Sequence, residues 1–325
     1  MTSRTPQQPY LVTFGETMAL LQAEHPGPLA HVSSLGLGIG GSESNVAIGV
    51  TRLGGSTVWC GRVGDDSLGQ LVLREIRAEG VDVRAIVDAG APTGLMIKER
   101  RTADTQKVTY YRSGSAGSRL SAEDLDEGLL RGASVLHLTG ITPALSASAA
   151  DAVFAAIGLA RASGVTVSFD LNYRSKLWSA EAAAAVYRRL LPLVDIAFAG
   201  DDEAALVFGE ATSDVLAARL AEAGPSEAII KRGHLGAVAV IDGTLHWQAP
   251  VPISPLDTVG AGDAFVAGYL AESLRTGESG GSTPESRLAL AAHAGAFACL
   301  APGDWEGLPT RAELHLLNAP EAVTR

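Results

Sequence analysis

Cysteine is nearly absent from this 325-residue chain. Cys60 and Cys299 are the only two, far apart and without His or Cys neighbours at metal-ligand spacing, which excludes a disulfide framework and a zinc motif and leaves two buried free thiols. Cations are also short: 25 Lys plus Arg stand against 36 Asp plus Glu, a net charge of −11. That balance excludes nucleic acid and an anionic membrane as main partners. An anionic small ligand must then be held by locally placed cations and backbone N–H groups. Long hydrophobic runs are missing as well. The longest, "LALAAHAGAFACLA" from Leu288, falls short of the roughly 20 residues that span a bilayer. The opening "MTSRTPQQPYLVTFGE" has no apolar core of signal-peptide length, so a cytoplasmic enzyme is expected. No internal repeat is visible.

What is present reads as a compact α/β protein. Hydrophobic content of 46% supplies a sizeable core, and 19% charged residues are too few for a disordered chain. One domain over 10–318 is expected, with tails at 1–9 and 319–325. Short apolar runs at 56–60, 134–140, 165–172, 194–200 and 227–233 read as strands. Between them, Val46, Val50 and Leu53, then Leu68, Leu71, Val72 and Ile76, repeat at helical spacing. Such alternation predicts a parallel sheet covered on both faces, with ligands bound beyond the carboxyl ends of its strands. Segments 16–40 and 92–114 break the pattern and read as half-wet strands of a small lid. Leu95, Ile97, Val108 and Tyr110 are expected to share its outer face, where a second copy would cover them in a homodimer. "TGESGGSTPE" at 276–285 reads as a loop between helices.

The stretch "SPLDTVGAGDAFVAGYLA" at 254–271 places Gly260, Ala261 and Gly262 before Asp263 and an apolar helix. A glycine turn feeding a helix exposes N–H groups without carbonyl partners, and the helix dipole adds positive charge there. This makes an anion site suited to phosphate. A carboxylate beside it is useful if a hydroxyl must lose its proton while attacking that phosphate. The competing reading is that Asp263 simply caps the helix.

"GLGIGG", with Gly36, Gly38 and Gly41, matches the dinucleotide spacing. The preceding "LAHVSSL" is a poor buried strand, however, and the better reading is that Gly40 and Gly41 open a helix at 43–53. A sugar could then lie on bare backbone with Asn45 bonding its hydroxyls. The plain alternative is helix initiation with Ser42 as cap.

"DTVGAGDAFVAGYL" resembles the C-terminal signature of the ribokinase-like carbohydrate kinases at Asp257, Thr258, Gly260, Ala261, Gly262, Asp263 and Phe265. "GGSESNVAIGVTRLGG" (40–55) and "GRVGDDSLGQLVLREIRAEGVD" (61–82) resemble the family's first signature, and the likeness covers nearly the whole chain. It implies a three-layer α/β/α fold with a mostly parallel central sheet and a small β-sheet lid. It also implies phosphorylation of a sugar hydroxyl by ATP, with Asp263 as base and the Gly260–Gly262 turn as anion hole. "KRGHLG" at 231–236, with Lys231, Gly233 and Gly236, would lie on the nucleotide side.

Four segments resemble the 2-keto-3-deoxygluconate kinase branch: "VTFGETM" with Glu16, "VTYYRSGSAGSRL" with Tyr110, Tyr111 and Arg112, "FDLNYRSKLW" with Asn172 and Arg174, and "GDWEGLPT" with Asp304. A sugar acid brings a carboxylate that suits the planar fork of arginine, so Arg112 and Arg174 are candidates to pair with it. Arg174 could equally serve the ATP phosphates. The family's Asn-x-x-Glu element falls on "FAGDDEAAL", where Gly200 replaces Asn and Glu203 remains. That leaves Asp201, Asp202 and Glu203 as outer-shell acids or as acids opening a helix. No protein-only metal cage is visible, so Mg2+ would arrive with ATP. His137 in a strand and His293 in an apolar helix read as core or adenine-pocket wall. Two rivals remain, a kinase for a neutral keto-sugar such as fructose and a sugar-acid-binding relative without turnover.

Overall fold

A computed structural model describes residues 8–102, 105–275 and 282–318 of the chain. Its strands are β1 (Tyr10–Phe14), β2 (Met18–Gln22), β3 (Gly36–Gly40), β4 (Ser56–Gly64), β5 (Asp82–Asp88), β6 (Leu95–Arg100) and β7 (Gln106–Tyr111), followed by β8 (Val135–Thr139), β9 (Thr166–Asp170), β10 (Ile196–Gly200), β11 (Glu227–Lys231), β12 (Ala237–Ile241) and β13 (Thr244–Gln248). Nine form one sheet in the order β13-β12-β11-β10-β9-β8-β1-β4-β5, parallel except for the last hairpin at the β13 edge. The five runs read from sequence are β4, β8, β9, β10 and β11. The β12–β13 hairpin went unread, although Asp242 and Gly243 both take positive φ, as a two-residue hairpin turn demands.

Helices cover both faces. On one, Ala147–Ala162 and Ala180–Leu190 pack Tyr187 against Phe169, and on the other Ala261–Ser273 sets Phe265 and Tyr269 against Phe198. Ala261–Ser273 is buried nearly all round because Ser42–Arg52 and Pro284–Ala298 flank it. The expected helix at 43–53 is Ser42–Arg52. The interior position of Ala261–Ser273 explains why that helix is apolar nearly all round. With β1, β8, β9, β10 and β11 parallel, their carboxyl ends share one edge of the sheet. Thr139, Asp170, Gly200 and Lys231 all end there.

A second sheet, β3-β2-β6-β7, hangs beside that edge. It occupies the two segments read as a lid, and Gly36, Gly38 and Gly40 lie in its strand β3, which removes the dinucleotide reading of "GLGIGG". One detail differs from expectation. The antiparallel register pairs Met96 with Tyr110 and Lys98 with Val108, while Leu95 faces Tyr111 and Ile97 faces Thr109. Val108 and Tyr110 therefore turn inward, because this register puts the even positions of both strands on one face. The loop read at 276–285 falls mostly on 276–281, outside the described residues.

Candidate active site

The chain turns into the helix Ala261–Ser273 through Gly260 at φ +76°, a conformation that glycine adopts without strain. A Cβ there would also stand 2.0 Å from the Asp304 carbonyl oxygen. Gly260, not Asp263, is thus the N-cap. Asp263 sits in the first turn, buried, with its carboxylate held from outside the helix. Ser42 Oγ donates to Oδ1 at 2.7 Å and Asn45 Nδ2 donates to Oδ2 at 2.8 Å. Asn172, in the left-handed region at φ 39°, donates to Ser42 Oγ at 2.8 Å and reaches Asp263 Oδ1 at 3.5 Å. Neither capping alternative fits: Gly41 caps Ser42–Arg52 without a side-chain bond, and the Ser42 hydroxyl is spent on Asp263.

Two cavities meet at this turn. The first, about 190 Å³, lies between the lid and the sheet edge, and its walls include Glu16, Gly40, Gly41, Asn45, Tyr110, Arg112, Arg174, Gly260, Asp263 and Asp304. A Cβ on Gly40 would stand 2.5 Å from Asp304 Oδ2, so the space above this residue depends on glycine. The second, about 590 Å³ and mostly apolar, is walled by Lys231, Gly233, Gly236, Ala261 and Gly262 together with Val251, Phe265 and Cys299. Thr258 to Asp263 is the partition between them. Arg174 opens on the first cavity and not the second. Asn172 lines neither and acts through Ser42. Tyr111 points outward, 60% exposed, and His293 bonds the Ala289 carbonyl rather than lining a cavity.

Charges in the first cavity are already partly matched. Arg112 Nε donates to Glu16 Oε2 at 2.7 Å, and Ser115 Oγ bonds the other Glu16 oxygen, all three side chains buried. Tyr110 lies between Arg112 and Lys176, at 5.8 Å and 5.4 Å from its ring centre. Asp304 is pushed up to about 6, chiefly by burial, with Glu306 and Asp263 adding to the rise and Lys98 opposing it.

Beneath the partition, Lys231 Nζ meets Asp170 at 2.8 and 2.6 Å. Burial disfavours its charged form, but Asp170 and Glu203 outweigh that and favour the ammonium. Glu203 accepts from the Gly200 and Tyr173 N–H groups at 2.7 and 2.9 Å, at the start of the helix Asp201–Phe208. His137 is fully buried and depressed to about 3, so it stays neutral. Both cysteines are free, Cys299 buried and Cys60 partly so. Sequence reading missed Ser42 as a partner of the acid, Asp170 beneath the lysine, and Lys98 in the lid. For Lys98 the signal was a cation closing the apolar run "LMI" at an inward strand position.

A carboxylate at the wall of one cavity and a glycine-lined helix start facing the other are parts that a phosphoryl transfer can use. The model of the pfkB family carbohydrate kinases matches residues 8–311. The chain belongs to that family. As a carbohydrate kinase, it is 38% identical over 319 residues to the 2-dehydro-3-deoxygluconokinase of Bacillus subtilis (strain 168), covering 96% of both chains. The solved 2-dehydro-3-deoxygluconokinase of Thermotoga maritima superposes with a TM-score of 0.84 at 27% identity, covering 96% of this chain and 98% of that one. An Escherichia coli protein described as ribokinase II, solved in complex with ATP and Mg2+, gives 0.86 at 25% identity, covering 95% and 99%. Among the described residues of this kinase, no helix is long and apolar enough to cross a membrane.

Proposed function

We propose that this kinase phosphorylates a 2-keto-3-deoxy sugar acid with ATP, converting 2-keto-3-deoxygluconate (2-dehydro-3-deoxygluconate) to its 6-phosphate. The observation that carries the reading is the cation set around the first cavity. Arg112 is fixed by Glu16, and Arg174 and Lys176 stand exposed on the loop after β9, where a substrate carboxylate can be matched. The likeness to two 2-dehydro-3-deoxygluconokinases supports it.

ATP fits the second cavity, with the adenine against its apolar wall and the phosphates toward Gly260–Gly262 and Lys231. Among the described residues no three His, Cys, Asp or Glu side chains gather closely enough to hold a metal. Mg2+ would come as a companion of the ATP phosphates, with Asp201, Asp202 and Glu203 as acids toward its water shell, and when bound it would neutralise phosphate charge. The sugar's primary hydroxyl would lie beside Asp263, whose carboxylate Ser42 and Asn45 aim into the first cavity. As the hydroxyl oxygen attacks the γ-phosphorus and the bond to ADP breaks, its proton passes to Asp263, and the turn amides take up charge on the transferring oxygens. Closure of the lid, to which Lys176 is already joined through the Val108 carbonyl, would keep water from the γ-phosphate.

A homodimer through the lid is part of the proposal. Its support is the outward strip of Leu37, 57% exposed, and Tyr111, with Leu95 and Ile97 beside them. Sedimentation that finds only monomer at micromolar concentration would remove this part.

The test of the reaction is ADP release by the purified protein with a panel of keto-deoxy acids, aldonic acids and hexoses. The highest kcat/KM is expected on 2-keto-3-deoxygluconate. A preference for fructose would assign a neutral-sugar kinase, and binding of sugar acids without turnover would assign a sensor.

A further inference from the structure

Lys98 is the most buried cation of the lid, 2% exposed, on the inward face of β6. Its ammonium is shared between two carboxylates from distant parts of the chain, Asp257 Oδ2 at 3.3 Å and Asp304 Oδ1 at 3.4 Å. Each controls part of the site. Asp257 Oδ1 accepts from the Val259 N–H at 3.1 Å and so shapes the turn that leads into Gly260, while its Oδ2 is also met by Gln106 of β7 and the Gly303 N–H. Asp304 presents its side chain to the sugar cavity and packs its carbonyl against Gly260.

We propose that Lys98 is a positioning residue through which the lid assembles the anion turn and keeps Asp304 an acceptor for substrate hydroxyls. The physical argument is one of count. One buried ammonium faces two carboxylates, Asp257 buried and Asp304 partly so, with Glu306 and Asp263 adding negative charge near Asp304 and Arg100, two residues along the strand, lining the adjoining small cavity. A carboxylate left in such a place without its cation is strongly disfavoured. When the lid is displaced, the ammonium leaves with it. Asp257 then loses the partner that steadies the turn, and Asp304 is driven toward its protonated form, in which one oxygen becomes a donor and the group accepts more weakly. The turn would be complete for phosphoryl transfer only under a seated lid, coupling sugar binding to a competent anion hole. This inference rests on the first cavity being the sugar site.

Two variants test it, Lys98→Met, of similar length without charge, and Lys98→Arg, which keeps the charge. Two readouts are needed, one of them free of substrate. With whichever sugar the wild type phosphorylates, Lys98→Met should lose about tenfold or more in kcat, and the acid limb of its kcat/KM profile should move to higher pH by about a unit. Lys98→Arg should keep the limb where it is. Without substrate, the fall in Tm of Lys98→Met should be larger at about pH 8 than at about pH 5, because only the ionised carboxylates miss the ammonium. If the fall in Tm is the same at both pH values and the limb stays in place, Lys98 is a packing residue and the proposal is wrong. If the wild type turns over no sugar while the pH-dependent fall in Tm appears, the assignment of the reaction fails and the electrostatic role of Lys98 stands. Should Lys98→Met fail to fold, a limb moved to higher pH in Lys98→Arg, which keeps the charge, would overturn the proposal.

Discussion

Ser42 donates a 2.7 Å hydrogen bond to Asp263 across 221 residues of sequence. With Asn45 on the other oxygen, it fixes the carboxylate of one buried helix from the first turn of the helix packed beside it. Asp263→Asn should lower kcat by roughly 10² to 10⁴, the usual worth of a positioned general base, with ATP affinity retained. Ser42→Ala should cost roughly tenfold in kcat, since a hydrogen bond to a charged group contributes about 1.5 to 3 kcal/mol, only part of it felt in the transition state. Steady-state kinetics with ATP titrations check both. Near-normal turnover of the asparagine variant would return Asp263 to a structural role.

Arg112 and Glu16 form a buried pair, so removing either strands the other. Arg112→Ala should destabilise the fold by about 3 to 5 kcal/mol through the orphaned Glu16 and should also impair sugar-acid use. Adding Glu16→Ala should recover most of the stability but not the catalysis. Denaturant unfolding of the two single variants and the double variant, paired with kcat/KM on an acid and on a neutral sugar, separates these contributions. Recovery of both properties together would make the pair purely structural.

Gly260→Ala meets two obstacles at once, φ +76° and the Asp304 carbonyl 2.0 Å from the new Cβ. The strained conformation alone costs about 1 to 3 kcal/mol. The turn must also shift to relieve the clash, so kcat should fall by on the order of 100-fold or more while the apolar second cavity, proposed to take the nucleotide, should still bind ATP. Equilibrium binding of an ATP analogue beside kcat checks this. Loss of nucleotide affinity with kcat unchanged would contradict it.

Asp304 connects pH to both activity and stability. Its folded-state value of about 6 lies above the ordinary 3.8, so the folded protein holds this proton more tightly than the unfolded chain. Its contribution to stability is therefore present below pH 4 and lost as pH rises from about 4 to 6. On the proposed substrate role, activity should run the other way, because an ionised Asp304 is a stronger acceptor for sugar hydroxyls than a protonated one, in which one oxygen has become a donor. The acid limb of kcat/KM should be centred near pH 6 and should vanish in Asp304→Asn at the expense of sugar affinity. A limb that persists unchanged in that variant would assign the titration elsewhere.

Much of this architecture is written locally. Alternating apolar runs dictate β8, β9, β10 and β11 and the helices between them, because periodicity alone decides which side chains can be buried. The glycines at 260 and 262 and the acid at 263 likewise mark a helix start built for anions, since the exposed N–H groups follow from the helix end itself. Even the unread β12–β13 hairpin was signalled by Asp242-Gly243. Partnerships lie beyond such reading. That Ser42 serves Asp263 rather than its own helix, that Glu16 claims Arg112 across 96 residues, and that Lys98 binds Asp257 and Asp304 are matters of how distant elements dock. The inward turn of Val108 and Tyr110 depends on the register of one hairpin, which residue spacing within a single strand does not contain. Short-range sterics and periodicity act within a few residues and are legible in order along the chain. The pairing of buried charges is settled only when tertiary packing removes water and brings particular partners from distant segments within reach.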